Sequence, residues 1–394
     1  MANGKYQKVI NNFLILQTLR IKHLSRKELS TELGLQASTV TYAISRLKDE
    51  GLIDEIGEDV NQGMGRKRTL LGLRGDFGCV FGIELLVNHF RANILDINGN
   101  TLFEISQSFT NLDNIKDYAT VERFEQIVKY VLSFLEENAK DLSIIAACIA
   151  IAGTVDSSGN KINSSWTQGL RDYDGTGFIK DFDYPIFFEN DANCAAYSHL
   201  NSIDDTFLYT LVQQYPVGEY PEGVPPLGIG IGVVIDGKLR RGFNHKAGEF
   251  SSFLYRGDVY DKQLALSNIE LGQLESNEDL LKKFLIELFG NLFFVESVID
   301  PRIIYLGGSL GKWKKVSKKI LDTEFKNSKY LGDHNTFVFI KPNQGDVAKG
   351  AGLLVLNHLF TLPEASMKKE EWVSLDTRLI RESKEGEKLC EKEF

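Results

Sequence analysis

The chain has 394 residues, of which 43% are hydrophobic, and this is enough apolar sequence for a core and for two or three domains. Its cysteines lie far apart, which excludes both a cysteine metal cluster and the disulfide framework of a small secreted domain. The apolar patch near the N-terminus is broken by polar residues, so we expect no signal peptide or membrane span there. A cytoplasmic protein is expected, with four reduced thiols, Cys79, Cys148, Cys194 and Cys390.

Positive charge is confined to the N-terminal end of the chain. The net charge is −9, but residues 1–75 contain 12 Lys and Arg against 8 Asp and Glu, so the rest of the chain carries −13. Phosphate is attracted to a basic surface and repelled by an acidic one. Any contact with nucleic acid should therefore be made by residues 1–75, which we call the head.

The head contains two predicted helices. Ser25 is the expected N-cap of the first helix, with Glu28 as its capping-box partner, and Gly34 ends it. The second is expected to begin near Ala37 or Ser38 and to stop at Gly51. Two helices joined by a turn that contains glycine form a helix-turn-helix. The outward face of the second helix carries side chains suited to base edges and phosphates, namely Ser38, Thr39, Tyr42, Ser45 and Arg46.

The segment after these helices predicts a wing, which is a pair of strands joined by a glycine-rich tip. Glycine lets a backbone enter a narrow groove, and arginine is favoured there by the negative potential. A small helical subdomain with a solvated charge run is the alternative, and the wing behind the helix pair argues against it. We therefore predict a winged helix-turn-helix DNA-binding domain whose tip contributes three basic residues, Arg66, Lys67 and Arg68.

From Gly78 onward the pattern changes to strands. Three β-runs, with the turn signal Asn98–Asn100 before the third, lead to a helix near 120–140 and then to the apolar strand "SIIAACIAIAGTV". The second half repeats this order, with strands, a helix near 276–298 and the strand "RIIYLGGSL". Such a repeat predicts a duplicated α/β fold with a cleft between its halves, and clefts of this kind bind small molecules.

Four segments behind the winged helix carry a resemblance to a known family. They are "ENDANCAA" at 189–196, "GIGIGVVIDGKLRRGFNHKAGEF" at 228–250, "VIDPRIIYLGGSL" at 298–310 and "GDVAKGAGLL" at 345–354. In this order they resemble the ROK family of repressors and sugar kinases, and in particular its repressor branch, such as xylose and N-acetylglucosamine repressors. The resemblance, over about residues 12–360, implies an actin-like or hexokinase-like ATPase fold with a central cleft.

The resemblance divides the chain into three parts. The head precedes a sugar-kinase-like effector-binding domain of two lobes at 76–365, which we call the body. A highly charged tail follows at 366–394 and is expected to be a peripheral helix or partly disordered. A proline-rich insert at 213–226 interrupts the family pattern and should be a stiff surface excursion that covers the cleft or an oligomer interface.

The resemblance also implies a set of sugar-facing residues. Asp191 matches the catalytic base of the family's kinases, and Asn190 precedes it. Glu249 matches a carboxylate that binds sugar hydroxyls, and Gly153 and Thr154 are expected to shape the floor of the site. Carboxylates and amides suit a polyol because each can bridge adjacent hydroxyls. The alternative is that Asn190 and Asp191 only cap a helix and that Glu249 is a surface acid.

Two kinase features are missing from the pattern. The family's kinases bind ATP phosphates at an Asp-x-Gly-x-Thr turn, but here Glu84, Leu86 and Asn88 occupy its three defining positions. A leucine would fill the space that the phosphates need. The family's zinc site is also absent, since Ser252 stands in place of its histidine and its cysteines are missing. We expect no metal and no cofactor. Trp166 is expected either to form an aromatic wall or to pack in the core.

These observations predict a sugar-responsive transcriptional regulator, a repressor of carbohydrate genes whose kinase-like body has lost catalysis. The expected partners are double-stranded operator DNA, a sugar or sugar-derivative effector and a second copy of the chain in a homodimer or higher homo-oligomer, with no membrane. An active sugar kinase with a DNA-binding head is the alternative. A regulator that senses a protein partner, with no small ligand, is a further one.

Overall fold

The chain is described here from a computed structural model, which covers residues 2–58, 68–109, 121–200, 205–215, 225–255, 263–326, 337–342 and 344–361. The predicted tail at 366–394 and residues 216–224 of the insert lie outside the described residues. Within the described residues, no helix is both long and apolar enough to span a membrane.

The head consists of three helices and a two-stranded sheet. Ser25 and Glu28 form the predicted capping box, and Gly34 ends that helix in the left-handed conformation. The following helix begins at Ala37, as predicted. The two strands after it are antiparallel, which confirms the winged helix-turn-helix. The elements of the head are α1 (Ala2–Ile21), α2 (Arg26–Leu33), α3 (Ala37–Asp49), β1 (Ile53–Glu58) and β2 (Thr69–Leu73).

The body begins after a short 3-10 turn and alternates strands with helices. Its first part comprises β3 (Cys79–Leu85), β4 (His89–Asp96), β5 (Thr101–Ser108), α4 (Val121–Asn138), β6 (Ile144–Ile151), β7 (Thr154–Val155), β8 (Lys161–Ser165), β9 (Leu170–Asp174), α5 (Thr176–Ile179), β10 (Ile186–Asn190) and α6 (Asp191–Ser198). Its second part comprises β11 (Phe207–Gln214), β12 (Leu227–Ile235), β13 (Lys238–Leu239), α7 (Asn268–Leu271), α8 (Glu278–Ile299), β14 (Ile303–Gly308), α9 (Lys314–Glu324), β15 (Phe337–Phe339) and α10 (Asp346–Phe360).

The two parts of the body have the same sheet topology, which confirms the predicted duplication. The first sheet has the strand order β10-β6-β3-β4-β5, in which β6 and β10 are parallel to β3 while β4 and β5 form an antiparallel meander. The second has the equivalent order β15-β14-β11-β12-β13, again with two parallel and two antiparallel neighbours. A small antiparallel sheet of β7, β8 and β9 is added to the first lobe.

The lobes are joined by the helices that follow each sheet. Helix α6 packs on the second sheet, α10 packs on the first, and the two helices pack on each other. Glycine makes this close approach possible, since a Cβ at Gly350 would lie 1.7 Å from the carbonyl oxygen of Cys194. A Cβ at Gly232 would lie 2.3 Å from the carbonyl oxygen of Ala192. The cleft between the lobes therefore has a tightly packed base.

The head and the body share one hydrophobic cluster. It runs from Leu16 and Leu19 in α1 to Leu356 and Phe360 in α10. The guanidinium of Arg20 lies over the ring of Phe360, 5.3 Å from its centroid. The amide of Gln17 donates a hydrogen bond to the carbonyl oxygen of Phe360. Helix α1 is therefore packed on the end of the last helix of the body.

Candidate functional site

A polar cavity of about 550 Å³ lies in the cleft between the two lobes. The first lobe contributes the ends of β6 and β10 and the small sheet, and the second contributes β11, β12 and the loop after β13. The cavity is large enough for a sugar. All five residues expected to face the effector line it, namely Gly153, Thr154, Asn190, Asp191 and Glu249.

The floor is held by hydrogen bonds between the end of β6 and its neighbours. The amide nitrogen of Asn190 donates to the carbonyl oxygen of Gly153 at 2.8 Å, while its oxygen accepts from the backbone N–H of Asn193. Only glycine fits at 153, because a Cβ there would lie 2.2 Å from the carbonyl oxygen of Ser164. The hydroxyls of Thr154 and Ser164 are 3.1 Å apart. Asn190 thus caps α6, as the alternative supposed, and also lines the cavity.

Asp191 is a buried carboxyl at the first position of α6. One oxygen accepts the backbone N–H of Ala192 at 2.8 Å. Burial, with a smaller contribution from the nearby carboxylates of Glu84 and Glu249, raises the pKa of Asp191 to about 8. A carboxyl with such a pKa is largely protonated at neutral pH and can therefore donate a hydrogen bond as well as accept one.

Glu249 reaches the cavity from the loop after β13, which docks on β12. Gly248 has φ +87 and a Cβ there would lie 1.7 Å from the carbonyl oxygen of Ile231, so only glycine allows this contact. The backbone N–H of Ile231 donates to the carbonyl oxygen of Gly248 at 2.9 Å. Desolvation in the cleft raises the pKa of Glu249, and the ammonium of Lys246 opposes this shift.

An ion pair connects the two lobes. Nε of Arg241, on the same loop as Glu249, donates to a carboxylate oxygen of Glu189 at 2.9 Å. Glu189 also accepts from the side-chain amide of Asn193 at 3.0 Å. Because Glu189 directly precedes Asn190 and Asp191, this ion pair fixes the position of the second-lobe loop relative to the first-lobe carboxyl.

One cavity residue was left open by the sequence, and several others were not predicted from it. Trp166, left open between wall and core, lies on the wall with 37% of its surface exposed, and the guanidinium of Arg171 stacks over its ring. Lys246 adds a second cation. The side-chain amide of Gln263 bonds both the N–H and the carbonyl of Ile229. No local pattern marks these residues, because tertiary structure alone brings their segments to the cleft.

Ser252 has a structural role where the family's zinc-binding histidine is expected. It is buried, its hydroxyl accepts from the amide of Asn291 at 3.1 Å, and its backbone N–H donates to the carbonyl of Gln263. No group of three or more His, Cys, Asp or Glu side chains able to hold a metal ion occurs within the described ranges.

The other end of the cleft is narrowed by side chains. Leu86, at the position where the resemblance implies glycine in the kinases, packs with Val87 and Tyr215 in a buried cluster. Glu84 is buried and accepts from Arg91 at 2.9 Å and from the amide of Gln213 at 2.7 Å. Burial raises the pKa of Glu84, and Arg91 opposes the shift. The remaining cavity at this end measures about 220 Å³.

The predicted DNA-contacting residues of α3 occupy its outer face. Ser38 and Tyr42 are exposed, Thr39 is half-buried, and the ammonium of Lys8 lies over the Tyr42 ring. Arg46 is paired with Glu50 at 2.7 Å.

The wing residues are placed only in part. Arg68 is paired with Glu28 at 3.1 Å, and this pair joins the wing to the capping box of α2. Arg66 and Lys67 lie outside the described residues. The guanidinium groups of Arg46 and Arg68 are therefore ion-paired within the head.

Comparisons with known proteins agree with both parts of the chain. The model of the ROK family matches residues 80–253, and a model described as winged helix-turn-helix DNA-binding matches residues 22–54. The xylose repressor of Bacillus spizizenii is 26% identical over 294 residues, which cover 72% of this chain and 70% of the relative. That of Staphylococcus xylosus is 25% identical over 309 residues, with 73% of each protein covered.

Solved structures show the same fold. A ROK family transcriptional regulator, a homologue of the E. coli MLC protein, aligns with a TM-score of 0.64 at 14% identity over 89% of this chain and 96% of that one. A ROK family glucokinase from Streptomyces griseus, in complex with glucose and AMPPNP, aligns with a TM-score of 0.53 at 15% identity over 70% of this chain and 99% of that one. The chain therefore combines a ROK family domain, matched over residues 80–253, with an N-terminal winged helix-turn-helix.

Proposed function

We propose that this protein is a sugar-responsive transcriptional repressor whose kinase-like body senses the effector without modifying it. The observation that carries the proposal is the cleft, in which the polar cavity around Asp191 and Glu249 is open while the phosphate end is narrowed by Leu86 and Tyr215. A winged helix-turn-helix packed on the same body supplies a way to convert sugar binding into a change in DNA binding.

The relatives named xylose repressors indicate which effector to test first. A pentose such as D-xylose has adjacent hydroxyls that Asp191, Asn190 and Glu249 can bridge, and a sugar ring can stack on Trp166. The effector-binding residues in this proposal are Gly153, Thr154, Asn190, Asp191 and Glu249, and the DNA-binding residues are Ser38, Thr39, Tyr42, Arg46, Arg66, Lys67 and Arg68.

A dimer on an inverted-repeat operator is part of the proposal. One winged helix contacts only a short half-site, so useful specificity needs two heads at a fixed spacing. The body is the large part of the chain that can set this spacing. The protein is proposed to act in the cytoplasm, where its operator lies.

The experiment is a gel-shift titration of an operator fragment from the protein's own promoter region, with and without D-xylose and a panel of mono- and disaccharides. We expect one sugar to change the apparent Kd for the operator, and the same sugar to raise the Tm because it binds the native state. If no sugar changes either quantity, a regulator that senses a protein partner becomes the better account.

The retained Asp191 is the observation that favours an active sugar kinase as the second candidate. A coupled assay for ADP release with ATP and the same sugars separates the two proposals. Sugar-dependent ADP release that Asp191→Asn abolishes would contradict a purely regulatory body.

A further inference from the structure

The last turn of α10 contacts the head on one of its sides. The guanidinium of Arg20, in α1, lies over the ring of Phe360 at 5.3 Å from the centroid. The side-chain amide of Gln17, also in α1, donates to the carbonyl oxygen of Phe360. Phe360 is buried in the cluster that the head and the body share. The position of α1 is therefore tied to the end of α10.

The same turn contacts the strand that leads to the effector cavity. The rings of His358 and Phe187 pack together with their centroids 4.8 Å apart. Phe187 belongs to β10, and the chain passes from this strand directly into Asp191. His358 and Phe360 are two residues apart, and such residues point to nearly opposite sides of an α-helix. One helical turn therefore connects β10 to α1.

The second-lobe loop that lines the cavity reaches this place as well. Its Arg241 is bonded to Glu189 at the end of β10. Burial lowers the pKa of His358, and the nearby guanidinium of Arg241 lowers this pKa further. Burial raises the pKa of Tyr197, on α6, and the guanidinium groups of Arg20 and Arg241 both oppose that shift. A cation of the head and a cation of the effector loop thus lie near one phenol.

These contacts give a physical reason for a displacement in the cleft to reach the head. An effector that bridges Asp191 and Glu249 binds β10 and the second-lobe loop at once. Any change in the separation of these two elements alters the surroundings of His358, and a close-packed interior transmits such a change. Because His358 and Phe360 belong to one rigid helical turn, the displacement passes to the residues of α1 that contact Phe360.

We propose that the last turn of α10, through the positioning residues His358 and Phe360, couples the effector end of the cleft to the position of the head. The inference rests on the proposed function, in which a sugar changes operator binding. Neither residue lines the cavity and neither lies in α3, so both act through the groups that they contact. Their loss should therefore reduce the coupling and leave each binding site able to bind.

A coupling measurement on the full chain tests this route, because contact between neighbours is not by itself coupling. The operator Kd is measured by gel shift with and without D-xylose, or with the panel sugar that raises the Tm in its place. In the parent protein we expect the two Kd values to differ by about 5- to 150-fold. In His358→Ala and in Arg20→Ala the ratio should fall towards one. The operator Kd without sugar and the sugar affinity without DNA should stay close to those of the parent.

Two matched variants separate coupling from packing. Arg20→Lys keeps a cation over the Phe360 ring and should keep most of the coupling. Lys129→Ala removes a similar cation from the ring of Phe178, in a cluster of the first lobe that the head does not share, and should keep all of it. The double variant of His358→Ala and Arg20→Ala should lose no more coupling than either single variant, because both act on one route. Full coupling in both single variants, or an equal loss in Lys129→Ala, would overturn the proposal.

Hydrogen exchange in α1 tests the route without a sugar. Glu189→Gln weakens the ion pair with Arg241 at the cavity, and we expect it to speed amide exchange in α1. The matched control is Glu125→Gln, at the partner of the Tyr173 hydroxyl in the same lobe, which should leave exchange in α1 unchanged. Equal exchange in Glu189→Gln and the parent would overturn the proposal. If His358→Ala or Arg20→Ala is unfolded by circular dichroism, the exchange result alone decides.

The proposed function can fail separately. If no sugar changes the operator Kd of the parent protein while Glu189→Gln speeds exchange in α1, the repressor proposal is contradicted and the connection through α10 is retained. A parent protein that responds to a sugar, together with fully coupled His358→Ala and Arg20→Ala variants, would retain the repressor and place its coupling elsewhere.

Discussion

The two ends of the cleft differ in the space that their side chains leave open. At the effector end, polar groups from both lobes line an open cavity of about 550 Å³. At the phosphate end, Leu86 and Tyr215 are packed together and Glu84 is held by Arg91 and Gln213, which leaves about 220 Å³. One cleft thus combines an open space lined by polar groups from both lobes with a neighbouring space that packed side chains reduce.

The largest effect is expected from removing a side chain at the phosphate end. Leu86→Ala should lower the free energy of unfolding by about 2 to 5 kcal/mol, because it leaves a cavity beside Val87 and Tyr215. Denaturant unfolding measures this loss, and Leu102→Ala on exposed β5 is the control with little expected change. An unchanged free energy of unfolding in Leu86→Ala would show that this end of the cleft is not tightly packed.

A smaller effect, confined to the effector end, is expected from Glu249→Ala. Loss of a charged hydrogen-bond partner costs about 1.5 to 3 kcal/mol, so effector affinity should fall roughly 10- to 100-fold. Isothermal titration measures the affinity, and a gel shift without effector should be unchanged because the head is untouched. Glu275→Ala, an exposed acid paired with Lys312, is the control. An unchanged effector affinity in Glu249→Ala would place the sensor site elsewhere.

The effector end should also make stability depend on pH. The pKa of Asp191 is raised above its unfolded value, so the folded protein binds more protons than the unfolded chain between about pH 4 and 8. Stability from this group is therefore present at low pH and is lost as pH rises toward 8. One titrating group contributes a slope of at most about 1.4 kcal/mol per pH unit.

Asp191→Asn isolates this contribution because an amide does not titrate in this range. Denaturant unfolding at pH 5, 6, 7 and 8 should show a weaker fall in stability for Asp191→Asn than for the parent protein. Glu84 and Glu249, whose pKa values are also raised, account for the fall that remains. Parallel curves for the two proteins would mean that Asp191 is ionised throughout.

The smallest of the expected effects comes from a substitution in the head, which should leave the cleft unchanged. Arg68→Ala removes one proposed phosphate contact and should reduce the slope of log Kd against log salt by about one, with effector affinity unchanged. The effect on DNA affinity should be small, because Arg68 would give up its ion pair with Glu28 in order to bind a phosphate. Glu28→Gln is the matched variant and should strengthen DNA binding slightly. An identical salt slope for Arg68→Ala would remove this residue from the DNA interface.

Local signals in the sequence predicted the elements of the fold well. The capping box at Ser25, the glycine at 34 and the repeated order of strands and helices each depend on neighbours in the chain, and each is present in the structure. Leu86 is packed against Val87 and Tyr215, and the loss of the phosphate turn that its side chain implies stays a prediction.

Contacts between distant segments were not predictable in this way. The Arg241–Glu189 ion pair, the Arg171–Trp166 stack and the Gln263 bridge join residues that only the folded lobes bring together. The packing of α1 on α10 likewise depends on the two ends of the described chain meeting. Periodicity indicates which face of a helix is buried, but it does not indicate what covers that face.

The contact of Arg20 and Gln17 with Phe360 has a consequence for how such regulators can be recombined. Because α1 packs on α10, the winged helix-turn-helix is not an independent module that can be separated from the body at residue 75. Grafting it onto another sensor would expose the apolar side of α1 unless the end of α10 is transplanted with it. We therefore expect a head to keep its packing in a new protein only when α1 and the end of α10 are transferred together.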